Sequence, residues 1–305
     1  MQLSSQRLIS PSQDTWWAEM SIGPSYFSEV DSSRIEAYIT GRDNNGVSRI
    51  GKGYLRVSQK GEILFDHLDK DPIFDVGSEG CFDENGVSYP WIVNVDEVTY
   101  MYYVGWVKGG INGFQNFLGL AVKEKGEENF KRVKKVPILD RCENEPYGTG
   151  SCCVIRNGKG WLMVYTSFLE WEGEKRRTDS HPNKQPSYNL KTAYSDDLIN
   201  WKRDYQAILP FKKNEHIQGK PVLMQDSENN TLFFSSRGDQ YRISCARGKD
   251  IRQLERMPDL VFEYSDWISS TQEYAFPLKI ADMTYLFFNG NGYGRTGLGY
   301  TKLSK

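Results

Sequence analysis

The stretch SYPWIVNVDEVTYMYYVGW, residues 88–106, decides the fold. Two apolar, aromatic-rich segments, SYPWIVNV and TYMYYVGW, flank an acidic turn at Asp96-Glu97. Val, Ile, Tyr and Trp favour a pleated surface, and a polar turn between two such segments marks a β-hairpin. Working outward, NFLGLAV (116–122) and FKRVKKVPIL (130–139) continue the pattern, so the hairpin belongs to a block of four strands.

The same block recurs along the chain. GTGSCCVIR, GWLMVYTS, YNLKTAYS and NWKRDYQAIL form one copy between residues 148 and 209. GKPVLMQD, TLFFSSRG, YRISCARG and RQLERMPDLVF form another between 219 and 262. Upstream lie SIGPSYFS, RIEAYITGRD, RIGKGYLRV and GEILFDHLD, and downstream YAFPLKIA, TYLFFNGNG and TGLGYTKL, whose block lacks a fourth strand. The segment SQRLISP (5–11) precedes the first block and is free to fill that gap, which would remove the open sheet edges. A repeat of this kind predicts an all-β chain: a single domain over residues 1–305, a five-bladed β-propeller of four-stranded blades closed by the N-terminal strand.

Composition narrows the function classes. Among 305 residues, 38 basic and 40 acidic side chains are interspersed, which gives no electrostatic footprint for nucleic acid or an anionic membrane. No apolar stretch approaches the roughly 20 residues of a membrane helix, and the N-terminus lacks a signal-peptide core, so a cytoplasmic protein is expected. The cysteines Cys81, Cys142, Cys152, Cys153 and Cys245 have no metal-ligand spacing with the histidines and read as reduced, mostly buried thiols. The reading therefore includes neither metal nor organic cofactor.

In a propeller, the residues ahead of each inner strand converge on one pocket. Asp83, Glu145, Glu215 and Glu273 each stand at that place, and carboxylates gathered around one axis shift one another's proton affinities. Paired carboxylates of unlike proton affinity serve glycosyl transfer: one protonates the departing oxygen, another activates water or attacks the anomeric carbon. At the ends of the second strands stand Arg42, Asp43, Trp106, Ser167 and Arg237, with His216 beside Glu215; these are the expected substrate contacts. The arginines suit a carboxylate or phosphate, and Trp106 a stacked sugar face. NGNGYG (289–294) precedes a strand and not a helix, so it is not a nucleotide loop. The long insertion of residues 168–188 is placed to cover the pocket as a lid.

The blocks GRDNNGVSRIG, FDENGV, YMYYVGW, GKPVL and YLFFNGNGYGRTGLGY, with AYSDDLINW matching the blade signature A-x-S-x-D-x-x-x-W, resemble the five-bladed β-propeller glycosidase superfamily. That superfamily includes the arabinanase and xylosidase, invertase and levansucrase, and mannoside phosphorylase groups. The likeness extends to an uncharacterised branch linked to sugar or polysaccharide biosynthesis. It implies a funnel-shaped pocket with a base or nucleophile, a modulating acid and a general acid; Asp83 is assigned the first role, Glu145 and Glu273 the others in either order. The motifs WMNDPNG and RDP are absent, and block one offers only Glu19 in place of an Asp. Three functions stay open: a glycoside hydrolase acting on a carbohydrate, a phosphorylase or nucleotide-sugar enzyme, and a catalytically silent carbohydrate-binding propeller.

Overall fold

A computed structural model describes residues 2–109, 112–172 and 185–303, and it is built almost wholly of β-strands. β1 (Gln6–Ile9) comes first, followed by β2 (Ser21–Asp31), β3 (Arg34–Arg42), β4 (Ser48–Val57) and β5 (Ile63–Leu68). The next four are β6 (Gly86–Val95), β7 (Val98–Gly109), β8 (Gly113–Glu124) and β9 (Lys131–Arg132). Then come β10 (Thr149–Asn157), β11 (Gly160–Glu172), β12 (Gln185–Ser195) and β13 (Lys202–Asp204). β14 (Ile217–Gln225), β15 (Asn230–Arg237), β16 (Tyr241–Gly248) and β17 (Glu255–Arg256) follow. The chain ends with β18 (Gln272–Ile280), β19 (Met283–Gly290) and β20 (Leu298–Leu303).

Antiparallel pairing joins these strands in runs of four in chain order, starting at β2, β6, β10 and β14. The last run consists of β18, β19 and β20, and β1 pairs antiparallel with β20, Gln6 opposite Tyr300, to take the fourth place. Tight turns set the register inside the runs. Val95 pairs with Val98 across Asp96-Glu97, Asp96 taking the left-handed conformation (φ 51°) that such hairpins require. The first strands also touch in series: β2 meets β6, β6 meets β10, β10 meets β14, β14 meets β18, and β18 comes back to β2. Among the described residues no helix is long and apolar enough to cross a membrane.

Each first strand carries an irregularity at the same place. Register shifts occur at Ile22–Ser25, Ser88–Trp91, Thr149–Cys152, Gly219–Val222 and Glu273–Phe276. A bulge adds one residue, bends the strand and re-aims a side chain, and bulges concentrate beside functional sites. Three of these bulges hold a non-glycine residue at positive φ: Tyr89 (55°), Lys220 (49°) and Tyr274 (60°). A bulky residue held there stores strain, which the neighbouring runs stabilise. The Tyr89 amide donates to Thr40 Oγ1 of the preceding run, the Lys220 amide to Ser151 Oγ, and the Tyr274 amide to Ser235 Oγ, at 2.9–3.0 Å.

The core lies between the runs and beneath the loops that lead into them. Trp17 is fully buried over Gly41 and Gly51, where a Cβ would stand 2.3 Å from its ring. Trp267 does the same over Gly290 and Gly299 in the last run. Only glycine leaves room for an indole at such close approach. The five cysteines are free thiols, and Cys152, Cys153 and Cys245 are buried.

Candidate active site

The structure gives the four acids that the repeat groups together two kinds of surroundings. Asp83, in the loop before β6, is fully buried and accepts from Arg132 Nε of β9 at 2.7 Å and from the Tyr103 hydroxyl of β7 at 3.0 Å. Glu145, before β10, accepts from Arg203 Nη1 of β13 at 2.7 Å, Lys191 Nζ of β12 at 3.1 Å, and the hydroxyls of Tyr165 and Ser167 of β11. Glu215, before β14, accepts from Arg256 Nη2 of β17 at 2.6 Å, and that guanidinium lies over Phe234 of β15. Each carboxylate is thus turned back under its own run and latched to an arginine on that run's last strand. In the first and last runs, Trp17 and Trp267 occupy the corresponding place: Gly41 and Gly290 face them as Gly105 faces the Asp83 side chain.

A buried carboxylate is tolerated when paired and fully hydrogen-bonded. Burial pushes the Glu145 carboxyl up, but Ser167, Lys191 and Tyr165 together outweigh it and hold the group below its ordinary value. Burial, followed by the Asp83 charge, drives the Tyr103 phenol far up, which keeps it a donor. Asp83 and Glu145 present no open face toward solvent, since both are at most 1% exposed.

Other expected contacts also have structural partners. Asp43 accepts from the Asn45 and Val47 amides and pairs with Arg49 at 2.7 Å, closing the turn after β3. Ser167 donates to Glu145 at 2.6 Å. Trp106 Nε1 donates to Ser48 Oγ at 2.9 Å and so ties β7 to β4. The His216 amide and carbonyl join Arg237 and Tyr188, while its Nε2 is buried without a hydrogen-bond partner. His181 and most of the lid segment, residues 173–184, lie outside the described residues; the flanking parts of the 168–188 insertion extend β11 and β12.

Glu273 differs from the other three. It sits inside β18 at the edge of the bulge, 1% exposed, and its two hydrogen-bond donors are uncharged. Thr271 Oγ1 donates to Oε1 at 2.6 Å and the Tyr293 amide to Oε2 at 3.1 Å. Burial raises its proton affinity by more than these donors and the charge of Arg237 lower it. A buried carboxyl that holds its proton more tightly than usual has the chemistry that general acid catalysis requires.

Tyrosines surround it. Tyr89 meets Tyr274 edge-on at 5.4 Å, Tyr274 stacks with Tyr293 at 6.4 Å, and Tyr293 meets Tyr241 at 5.8 Å. The Tyr188 and Tyr241 hydroxyls share a hydrogen bond of 2.8 Å. Tyr293 is 46% exposed and holds a left-handed φ of 65°. Arg237 lies over the Tyr241 ring at 5.2 Å, and Arg42 acts electrostatically on Tyr89 while its Nε is buried without an acceptor. The structure thus brings together Glu273, Arg237 and Arg42 from the expected residues and adds Tyr89, Tyr188, Tyr241, Tyr274 and Tyr293. Among the described residues no group of three or more His, Cys, Asp or Glu is placed to hold a metal ion.

Lys220 occupies the fourth-run bulge, 3% exposed, with Nζ over the Phe276 and Trp91 rings at 5.3 and 5.9 Å and no hydrogen-bond acceptor. Burial brings its pKa down to about 8, against small opposing effects of Cys153 and Cys152. The resulting penalty is complete below that value and fades as pH rises toward the ordinary lysine range. Lys220→Met should therefore raise the urea midpoint at pH 7, by no more than about 3 kcal/mol in stability, and the gain should vanish near pH 10. A variant less stable at both pH values would refute the assignment of Lys220 as a strained buried cation.

No protein-family profile matches the chain. The uncharacterised proteins Rv1502 and MT1551 of two Mycobacterium tuberculosis strains are each 28% identical to it over 301 residues, 97% of both lengths. A glycosyl hydrolase from Bacteroides ovatus superposes with a TM-score of 0.73 at 14% identity, over 100% of this chain and 94% of that one. A structure from the GH130 family of mannoside phosphorylases, which contains glycoside hydrolases that target β-1,2 mannosidic linkages in Candida mannan, gives 0.72 at 14% identity, over 100% and 94%. The GH32 β-fructofuranosidase of Bombyx mori gives 0.63 at 16% identity, over 98% of this chain and 61% of that one. At such identities the shared property is the fold, and this chain has the fold of the glycoside hydrolase propellers.

Proposed function

We propose that the five runs are the blades of a single five-bladed β-propeller, closed by β1 in the last blade, and that its axial pocket cleaves glycosidic bonds with Glu273 as general acid. The series of contacts from β2 round to β18 and back supports the ring. The observation that carries the chemistry is Glu273 itself, a buried carboxyl of raised proton affinity set among partly exposed tyrosines. Its proton passes to the glycosidic oxygen as the bond from that oxygen to the anomeric carbon breaks, and an acceptor oxygen forms the new bond to that carbon. The Tyr293 and Tyr89 rings offer apolar faces to the sugar. Asp83, Glu145 and Glu215 serve the fold, because each is paired with an arginine of its own blade, Asp83 through Oδ2 while its Oδ1 stays buried without a partner.

One observation favours phosphorolysis over hydrolysis. Hydrolysis by paired carboxylates needs a second carboxyl to activate water, whereas Glu273 is the carboxylate that hydrogen bonds tie into the tyrosine cluster. Phosphate arrives as its own nucleophile and needs cations to hold it, and Arg42 and Arg237 both act on this cluster. The test is to incubate wild type and Glu273→Gln with aryl glycosides, oligosaccharides and nucleotide sugars, with and without phosphate. Turnover that survives the substitution undiminished would sink the general-acid assignment. Sugar 1-phosphate formed only with phosphate present would select phosphorolysis, and binding without any turnover would favour a silent carbohydrate-binding propeller.

A further inference from the structure

The aromatic rings continue beyond the pocket. The β7–β8 hairpin pairs as far as Gly109 with Gly113, and the β11–β12 hairpin as far as Glu172 with Gln185. These strands are 12 and 13 residues long, against 8 in β15 and β19, so two neighbouring hairpins project past the end at which Glu273 sits. Phe114 of one meets Trp171 of the other edge-on at 4.8 Å, which ties them together. Trp171 stacks on Phe168 at 5.9 Å, Phe168 meets Tyr188 at 5.0 Å, and the Tyr188 hydroxyl reaches Tyr241. From Tyr241 the contacts pass to Tyr293, whose amide holds Glu273. Ring contacts and one phenol hydrogen bond therefore run without a break from the hairpins to the acid.

Packing that served only to brace the hairpins would bury these rings. Phe168 is buried at 4%, but Phe114, Trp171 and Tyr188 stay partly exposed and Tyr293 is 46% exposed. Flat, partly exposed aromatics in file present the apolar surface on which successive pyranose faces stack. Among the described residues, no guanidinium or ammonium stacks on Phe114, Trp171 or Phe168, in contrast to Tyr241 beneath Arg237. The far part of the file thus suits neutral sugar units better than a diphosphate.

Building on the reading of Glu273 as the acid of a glycoside-cleaving site, we propose that this aromatic file binds the sugar units beyond the cleaved bond. The substrate class is then an oligosaccharide of more than two units, not a simple monoglycoside or a nucleotide sugar. Trp171 is a specificity-determining residue within it, acting on binding and not on bond cleavage.

Two measurements test this together. On a glycan array of neutral and acidic oligosaccharides, wild type and Glu273→Gln should retain the same longer glycans, and Trp171→Ala should lose at least tenfold in signal on them. With the glycoside that wild type cleaves, kcat/KM should rise about tenfold from the disaccharide to the trisaccharide; in Trp171→Ala the deficit should grow with length and reside in KM. Phe114→Ala should repeat this pattern, and an unchanged melting temperature for both variants separates the effect from misfolding. The proposal is overturned if Trp171→Ala binds the glycans as wild type does, if its deficit is equal at every length, or if uridine or guanosine diphosphate displaces the bound glycans. Array binding that depends on Trp171 in a protein without turnover would refute the cleavage reading and leave the binding file standing.

Discussion

Glu273→Gln is expected to lower kcat/KM for a cleaved glycoside by about 10²- to 10⁴-fold, the range over which a positioned general acid contributes. Gln is nearly isosteric: its carbonyl can take the place of Oε2 and accept from the Tyr293 amide, now at 3.1 Å, while its NH2 takes the place of Oε1 and donates to the Thr271 hydroxyl, now at 2.6 Å, which turns from donor to acceptor. What disappears is the proton. The loss should shrink for aryl glycosides whose phenol leaves without protonation, a dependence that a merely structural role would not produce. The pH profile carries a second signature. Burial raises the Glu273 proton affinity, so the protonated, active form persists to higher pH than for an ordinary carboxyl and the rate falls as pH rises through that raised value. The variant should lack this alkaline limb.

Stability follows the opposite direction. A carboxyl whose folded pKa is raised contributes fully below the unfolded carboxyl's pKa, and the contribution is lost as pH rises through the folded value. Glu273→Gln should thus match wild type in acid and exceed it in melting temperature at neutral pH, a trade of stability for activity. If the variant is inactive and also destabilised at neutral pH, Glu273 is a structural group.

Glu145→Gln is expected to cost about 3–5 kcal/mol, because it leaves the Arg203 and Lys191 charges buried without their counter-charge. Against a total stability of about 5–15 kcal/mol, that is a large fraction of the fold. Burial alone would favour a neutral side chain here, but Ser167, Lys191 and Tyr165 reverse that preference and depress the proton affinity. The Glu145 contribution is therefore present above the unfolded carboxyl's pKa and is lost as pH falls through the depressed value. Chemical denaturation at pH 7 checks the magnitude, and Arg203→Met added to Glu145→Gln should recover part of the loss, since the two residues share one network. The protein that remains folded should keep its activity. A stable Glu145→Gln with turnover abolished would return Glu145 to the chemistry.

The strand blocks and the free N-terminal strand were legible because local signals specify them: aromatic and β-branched segments, polar turns and a period of blocks. The fate of the acids was only half legible. Asp83, Glu145 and Glu215 recur at one place, but so do Arg132, Arg203 and Arg256 on the fourth strands of the same three blocks, and the first and last blocks carry tryptophan instead. Spacing groups the acids on one axis, whereas the arginines that pair with them lie on the fourth strands and go unnoticed unless they are aligned as well. Glu273 was grouped with them by spacing, although it lies inside its strand and not ahead of it. The tyrosines were missed for another reason. Tyr89, Tyr274 and Tyr293 owe their orientation to positive φ, which Gly or Asn signals in a sequence and Tyr does not.

The division between latched and tryptophan-plugged runs also assigns a direction to the molecule's failure. The last run and the first, joined through β1 and the β18–β2 contacts, are plugged by Trp267 and Trp17 at the place where the other three hold an arginine-latched carboxylate. The three runs between them each depend on one. In acid, therefore, the interior of the chain loosens first while the junction of its ends still holds, and proteases should nick the middle of the sequence before they trim its termini.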